Sequence, residues 1–89
     1  MTNPANEALF PHVVHLGDLA AGESGTIVEI EGQPDMVARL QAMGLRNGCR
    51  VRMIRPGDAC LIAIDNHRLG FRGAEAASVH VALAEAVSF

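Results

Sequence analysis

The chain has 89 residues, a hydrophobic fraction of 49% and a formal net charge of −3. A chain of this length forms one domain with a small core, because it buries only about 60–65% of the surface it exposes when unfolded. Tyr and Trp are absent, and the three phenylalanines are Phe10, Phe71 and Phe89, which leaves too few rings for an aromatic groove that grips proline-rich peptides or a base-stacking platform for single-stranded nucleic acid.

No apolar run approaches the ~18 residues of a membrane-spanning helix. The stretch Met1 to Glu7 has neither the basic nor the apolar region of a secretory signal, so a cytoplasmic location is expected. Two cysteines, Cys49 and Cys60, are spaced for neither a zinc site nor a redox pair, and they read as small core hydrophobes in a reducing compartment. Charge is segregated along the chain. All seven basic residues are arginines between Arg39 and Arg72, whereas only acids precede Arg39. Such asymmetry fits a face for an anionic partner, and it equally fits two complementary strand faces that meet inside the fold.

In chain order, residues 1–15 show no period and read as a loosely ordered N-terminal arm. Leu16 and Leu19, followed by Gly22 and Gly25, suggest one helical turn leading into a strand. Thr26 to Glu31 alternates as a first strand, with Thr26, Val28 and Ile30 on one face and Ile27, Glu29 and Glu31 on the other. Pro34 suits a first helical position and Asp35 the positive end of the helix dipole, while Met36, Val37, Leu40 and Met43 recur at helical spacing.

Gly44 stops that helix where a left-handed residue is needed, and Gly48 supplies a second permissive turn position after Asn47. Cys49 to Arg55 alternates, with Cys49, Val51 and Met53 inward and Arg50 and Arg52 outward. The turn Pro56-Gly57-Asp58 leads to a continuously apolar strand, Cys60 to Ile64, then a hairpin at Asp65-Asn66 and an alternating strand with Leu69 and Phe71 inward. Gly73 to Ala77 reads as a helical turn, Val79 to Leu83 as the closing strand, and residues 84–89 as a tail. The expectation is a mainly β fold: a small five-stranded barrel over residues 16–83, one short helix between its first two strands, and a closed sheet with few exposed edges.

Leu16-x-x-Leu19-x-x-Gly22-x-x-Gly25, Ile27-Val28-x-Ile30-x-Gly32 and Arg39-Leu40-x-x-Met43-Gly44-Leu45-x-x-Gly48 together resemble the FeoA family, small SH3-like barrels of bacterial ferrous iron transport. The resemblance continues through Arg68-Leu69-Gly70-Phe71-Arg72 and is most specific at Met43-Gly44-Leu45-x-x-Gly48. It implies a non-enzymatic accessory protein that binds the cytoplasmic GTPase part of the FeoB ferrous permease, and so meets the membrane only indirectly, at its inner face. The same barrel resembles the C-terminal domain of diphtheria-toxin-repressor-type metalloregulators. The alternative is therefore a stand-alone domain that serves a metal-responsive repressor or self-associates as a homo-oligomer.

The residues themselves argue against catalysis. The sequence has no nucleophile elbow, no phosphate-binding Gly-Lys-Ser/Thr loop and no His-Glu pair at metal-binding helical spacing. His12 and His15 lie three apart with no third ligand nearby, while His67 and His80 read as surface residues, so no metal or cofactor is expected. No nucleic-acid partner is expected either, since no helix-turn-helix precedes the barrel.

The candidate partner-binding residues are Arg39, Met43, Leu45, Arg46, Arg50 and Arg52, with Gly44 and Gly48 as the structural cap and turn. Two alternatives stand beside that reading. Met43 and Leu45 either project from the helix end or plug the open end of the barrel, and Arg50 and Arg52 either face a partner or pair with Glu29 and Glu31 across neighbouring strands.

Overall fold

The computed structural model describes residues 12–83. Strands β1 (Val13–His15), β2 (Ser24–Ile30), β3 (Arg50–Arg55), β4 (Cys60–Ile64), β5 (His67–Phe71) and β6 (Val79–Leu83) form one antiparallel sheet in the order β1-β6-β2-β3-β4-β5. Helix α1 (Pro34–Ala42) joins β2 to β3, helix α2 (Gly73–Ala77) joins β5 to β6, and a 3-10 turn spans Leu16–Asp18. Both leucines of the first motif, Leu16 and Leu19, are buried, which explains their spacing: one tight turn aims both into the core.

Two expectations need correction. The sheet has six strands, not five, because Val13–His15 pairs with β6 as Val13↔Ala82, Val14↔Val81 and His15↔His80. Two valines and a histidine are too short a run to show a period. The strand forms because β6 offers it an edge, and the Leu83 N–H donates to the His12 carbonyl at 2.8 Å to extend the ladder. The remainder of the expected arm, residues 1–11, and the tail, 84–89, lie outside the described residues.

The sheet is also not closed by pairing among the described residues, since β1 and β5 end the strand order as two edges. Of the two faces that the alternation of β2 defines, the one with Ile27 meets the core at that point: Ile27 is buried and Val28 is 41% exposed. An irregularity in the β2–β6 register between Ile27 and Glu29 inserts an extra residue, shifts the alternation and turns the half-buried Ile30 back toward the core.

The other strands follow their patterns. Val51 and Met53 are buried while Arg50 and Arg52 are exposed. β4 runs between β3 and β5 with Cys60, Ile62 and Ile64 buried. The Asp65-Asn66 hairpin closes on the Ile64↔His67 pair with Asp65 at a φ of 52°, a conformation that Asp tolerates better than most residues. Cys49 and Cys60 are both free. Gly25 marks the closest approach in the sheet: a Cβ there would stand 2.2 Å from Val81 Cγ1 and 2.7 Å from the Ala82 carbonyl oxygen.

Candidate partner-binding surface

The helix end is built by its own backbone. Pro34 sits in the first turn of α1 with Asp35, and Leu40 is the residue the helix buries. At the other end the Gly44 N–H donates to the Gln41 carbonyl at 3.0 Å and the Leu45 N–H reaches back to the Leu40 carbonyl at 3.0 Å, with Gly44 at a φ of 108°. These two bonds and the left-handed glycine are the Schellman cap, which brings the residue after the glycine onto the last turn of the helix. Leu45 occupies that position and is fully buried together with Leu40. Leu45 is therefore a core residue rather than a contact residue, and of the two alternatives for it the plug is correct.

Beyond the cap, the Cys49 N–H donates to the Arg46 carbonyl at 3.0 Å with Gly48 at a φ of 94°. That is the positive φ a type II turn requires at its third position. The Gly48 N–H also donates to the Ile27 carbonyl at 2.7 Å, which ties the turn to β2.

The remaining candidates occupy separate places. Arg39 is ion-paired with Glu75 of α2 at 3.1 Å, its side chain largely exposed. Met43 is partly exposed at the helix end. Arg46 lines an open groove of about 590 Å³ with Glu29 and Ile30 of β2, Ala38, Gln41 and Ala42 of α1, and Asn47. Ala38, Gln41 and Ala42 lie three and four residues apart, so they share one helix face. Arg50 and Arg52 lie instead in a smaller hollow of about 330 Å³ with Ser24, Val51, Ala63 and Asp65.

The expected pairing of Arg50 and Arg52 with Glu29 and Glu31 is not formed. β3 meets the start of β2, as Thr26↔Arg50 and Ser24↔Arg52, whereas Glu29 lies opposite His80 of β6. Glu31 Oε1 sits 2.6 Å from His80 Nε2. The two glutamates fall past the point where β2 leaves β3, so the arginines keep an open face. Sequence reasoning passed over Arg68: the register Arg52↔Ala63↔Arg68 places it on the same outer face as Arg52. The alternation of β4 and β5 about their two-residue hairpin, which pairs Ala63 with Arg68, could have revealed this.

His15 and His80 lie with ring centroids 4.8 Å apart and their planes tilted by 49°, beside Glu31. Among the described residues, however, no three His, Cys, Asp or Glu side chains are arranged to hold a metal ion. Burial pushes the Cys60 thiol up from its ordinary value, with the Asp58 and Glu75 carboxylates adding to the rise. A buried thiol kept protonated is packing material, not a nucleophile.

One antiparallel sheet wrapped on a small core, with a capped helix between its second and third strands, defines an SH3-like β domain. The FeoA domain model matches residues 14–83, and the chain belongs to that family, whose role is accessory to ferrous iron transport.

Among solved structures, the iron uptake regulatory protein FeoA is similar with a TM-score of 0.77 and 24% identity, covering 82% of this chain and 100% of that one. FeoA of Stenotrophomonas maltophilia, solved as a complex with zinc and described as a prokaryotic SH3 domain protein, is similar with a TM-score of 0.69 and 24% identity, covering 76% and 88%. A manganese-dependent transcriptional repressor shares the fold with a TM-score of 0.77 and 20% identity, and the match covers 83% of this chain but 43% of the repressor. Among curated proteins, none matches the chain significantly. No helix among the described residues is long and apolar enough to cross a membrane.

Proposed function

We propose that the protein is an accessory of ferrous iron uptake that binds the cytoplasmic GTPase part of a FeoB-type permease and acts by that contact, without catalysis of its own. The observation that carries this reading is the FeoA match, which runs from within β1 to the last residue of β6 and so reaches all six strands rather than one motif. The surface offered to the partner comprises Arg46 with its groove and the outward Arg50 and Arg52, with Met43 at the rim between helix and turn. The complex forms in the cytoplasm, at the inner face of the membrane that holds the permease.

Calorimetry of the purified protein against the soluble GTPase domain of the cognate permease, apo and nucleotide-loaded, tests the reading at two salt concentrations. The expected result is binding that weakens as salt rises, because exposed arginines act through screened charge. Absence of binding in every nucleotide state rejects this partner.

A further inference from the structure

Among the described residues, the edge of the sheet at β5 has an unused set of backbone groups. The two-residue loop Asp65-Asn66 closes on Ile64↔His67, and the ladder continues through Ile62↔Leu69 to Cys60↔Phe71. In an antiparallel hairpin of this kind the closing pair exchanges both of its hydrogen bonds, and so does every second pair after it. The N–H and C=O groups of His67, Leu69 and Phe71 are thereby turned toward β4, and those of Arg68 and Gly70 point away from it. β5 is the last strand in the sheet order, so these two residues present a donor–acceptor–donor–acceptor row to whatever approaches.

The side chains around that row are selective. Arg68, Gly70 and Arg72 alternate on the outer face, because the chain stays extended through Arg72, at φ −84° and ψ 167°. The Arg72 N–H is taken by Glu75 Oε1 at 3.1 Å and its carbonyl by the Ala76 N–H at 2.9 Å, which ends the free row at Gly70. The charged pairs among the described residues are Arg39–Glu75 and His80–Glu31, so neither the Arg68 nor the Arg72 side chain has a carboxylate partner there. The two arginines stand about 13 Å apart along the strand, with a glycine between them that leaves the backbone open to close approach. On the other face, Leu69 is only half-buried, as an apolar residue is at the rim of a core that lacks one more strand.

We propose that the β5 edge binds an extended acidic segment of a partner protein as an added strand. Its backbone pairs with Arg68 and Gly70, and two carboxylates four residues apart lie against Arg68 and Arg72. An apolar side chain between them, on the opposite face of the segment, covers Leu69. Main-chain pairing supplies the affinity and the alternate side chains supply the choice of partner. A second copy of this chain is the wrong occupant: with only Arg68 and Gly70 free, two β5 edges would pair as Arg68↔Gly70 about Leu69, which sets each Arg68 diagonally between Arg68 and Arg72 of the other copy and crowds like charges on one face. The same two arginines thus bar the protein's own edge and admit an acidic one. The inference holds whether or not the permease is the partner that supplies the segment.

The test is amide-resolved NMR on the full chain with an acetylated, amidated Thr-Glu-Val-Thr-Val-Glu-Thr peptide as the probe, and its counterpart with lysines in place of the glutamates. The acidic peptide is expected to shift amides of residues 67–72 and to slow hydrogen exchange at the Arg68 and Gly70 N–H groups, while the lysine peptide does neither. Arg68→Glu or Arg72→Glu weakens binding about fivefold, the upper end for one cross-strand pair. Gly70→Pro, which removes an outward N–H that has no partner among the described residues, eliminates binding; the two arginine variants decide the matter if that chain does not fold.

Equal binding of both peptides, shifts centred on the groove at Arg46, or no shift at millimolar peptide each overturn the proposal. So does a free protein that is already dimeric with slowly exchanging Arg68 and Gly70 amides.

Discussion

The helix end and the outer face of β3–β5 both carry arginines beside small or apolar residues, yet they are built in opposite ways. At the helix end nearly every backbone group is used: Gly44 and Leu45 donate back into the helix, Cys49 donates to Arg46, and Gly48 donates to β2. The direction of Leu45 follows from that bonding, and it points inward. On the sheet face β3 and β4 are paired on both sides while β5 is an edge, and the side chains of Arg50, Arg52 and Arg68 have no carboxylate partner among the described residues. A residue whose orientation is set by a cap belongs to the fold. An unpaired charge on the outer face of a sheet remains available for binding.

Substitutions can sharpen that contrast. The largest effect is expected for Leu45→Ala, which empties a fully buried position. It should cost about 2–5 kcal/mol and lower the thermal midpoint by roughly 10 °C or more. A midpoint within a degree or two of the parent protein would return Leu45 to the surface and break the comparison. Next comes Gly25→Val, whose side chain would enter the space held by Val81 and the Ala82 carbonyl. A loss of about 1–3 kcal/mol in a urea titration is expected, the range for overpacking a tight site.

Arg39→Ala removes an ion pair whose arginine is mostly exposed, so solvent screening should keep the loss below about 1 kcal/mol. The smallest effect concerns Cys60. Its thiol is pushed up in the folded state by burial, so the folded protein holds the proton more tightly than the unfolded chain does. That contribution is complete below the unfolded thiol pKa of about 8.5 and is lost as pH rises from there through the folded value. Urea titrations between pH 8 and pH 10 should show stability falling with pH, with a shallower fall in Cys60→Ala.

Much of the fold was legible because local chemistry and global fold agree. The 3.6 period and Pro34 mark α1, Gly44 and Gly48 mark its end and the following turn, and strict alternation marks β3 and β5. What escaped the sequence depends on pairing. β1 is three residues long and exists through its register with β6, and the irregularity at Val28 shifts the inward face of β2 with no glycine or proline to announce it.

The candidate surface was legible only in part, for the same reason. Arg50 and Arg52 were read as outward correctly from alternation. Their partners were not, because which stretch of β2 lies beside β3 is a matter of register that period alone leaves open. Arg68 was missed because its relation to Arg52 runs through β4, across two ladders.

The most direct test of the central claim is the affinity for the cognate GTPase domain of two variants beside the parent, Arg46→Glu and Arg52→Glu, with the thermal midpoint recorded for each. Both are exposed positions, so stability should stay within about 0.5 kcal/mol. The expected result is weaker binding for both, together with a reduced dependence on salt. Unchanged affinity in both variants, with the midpoints intact, would contradict an arginine-mediated accessory contact.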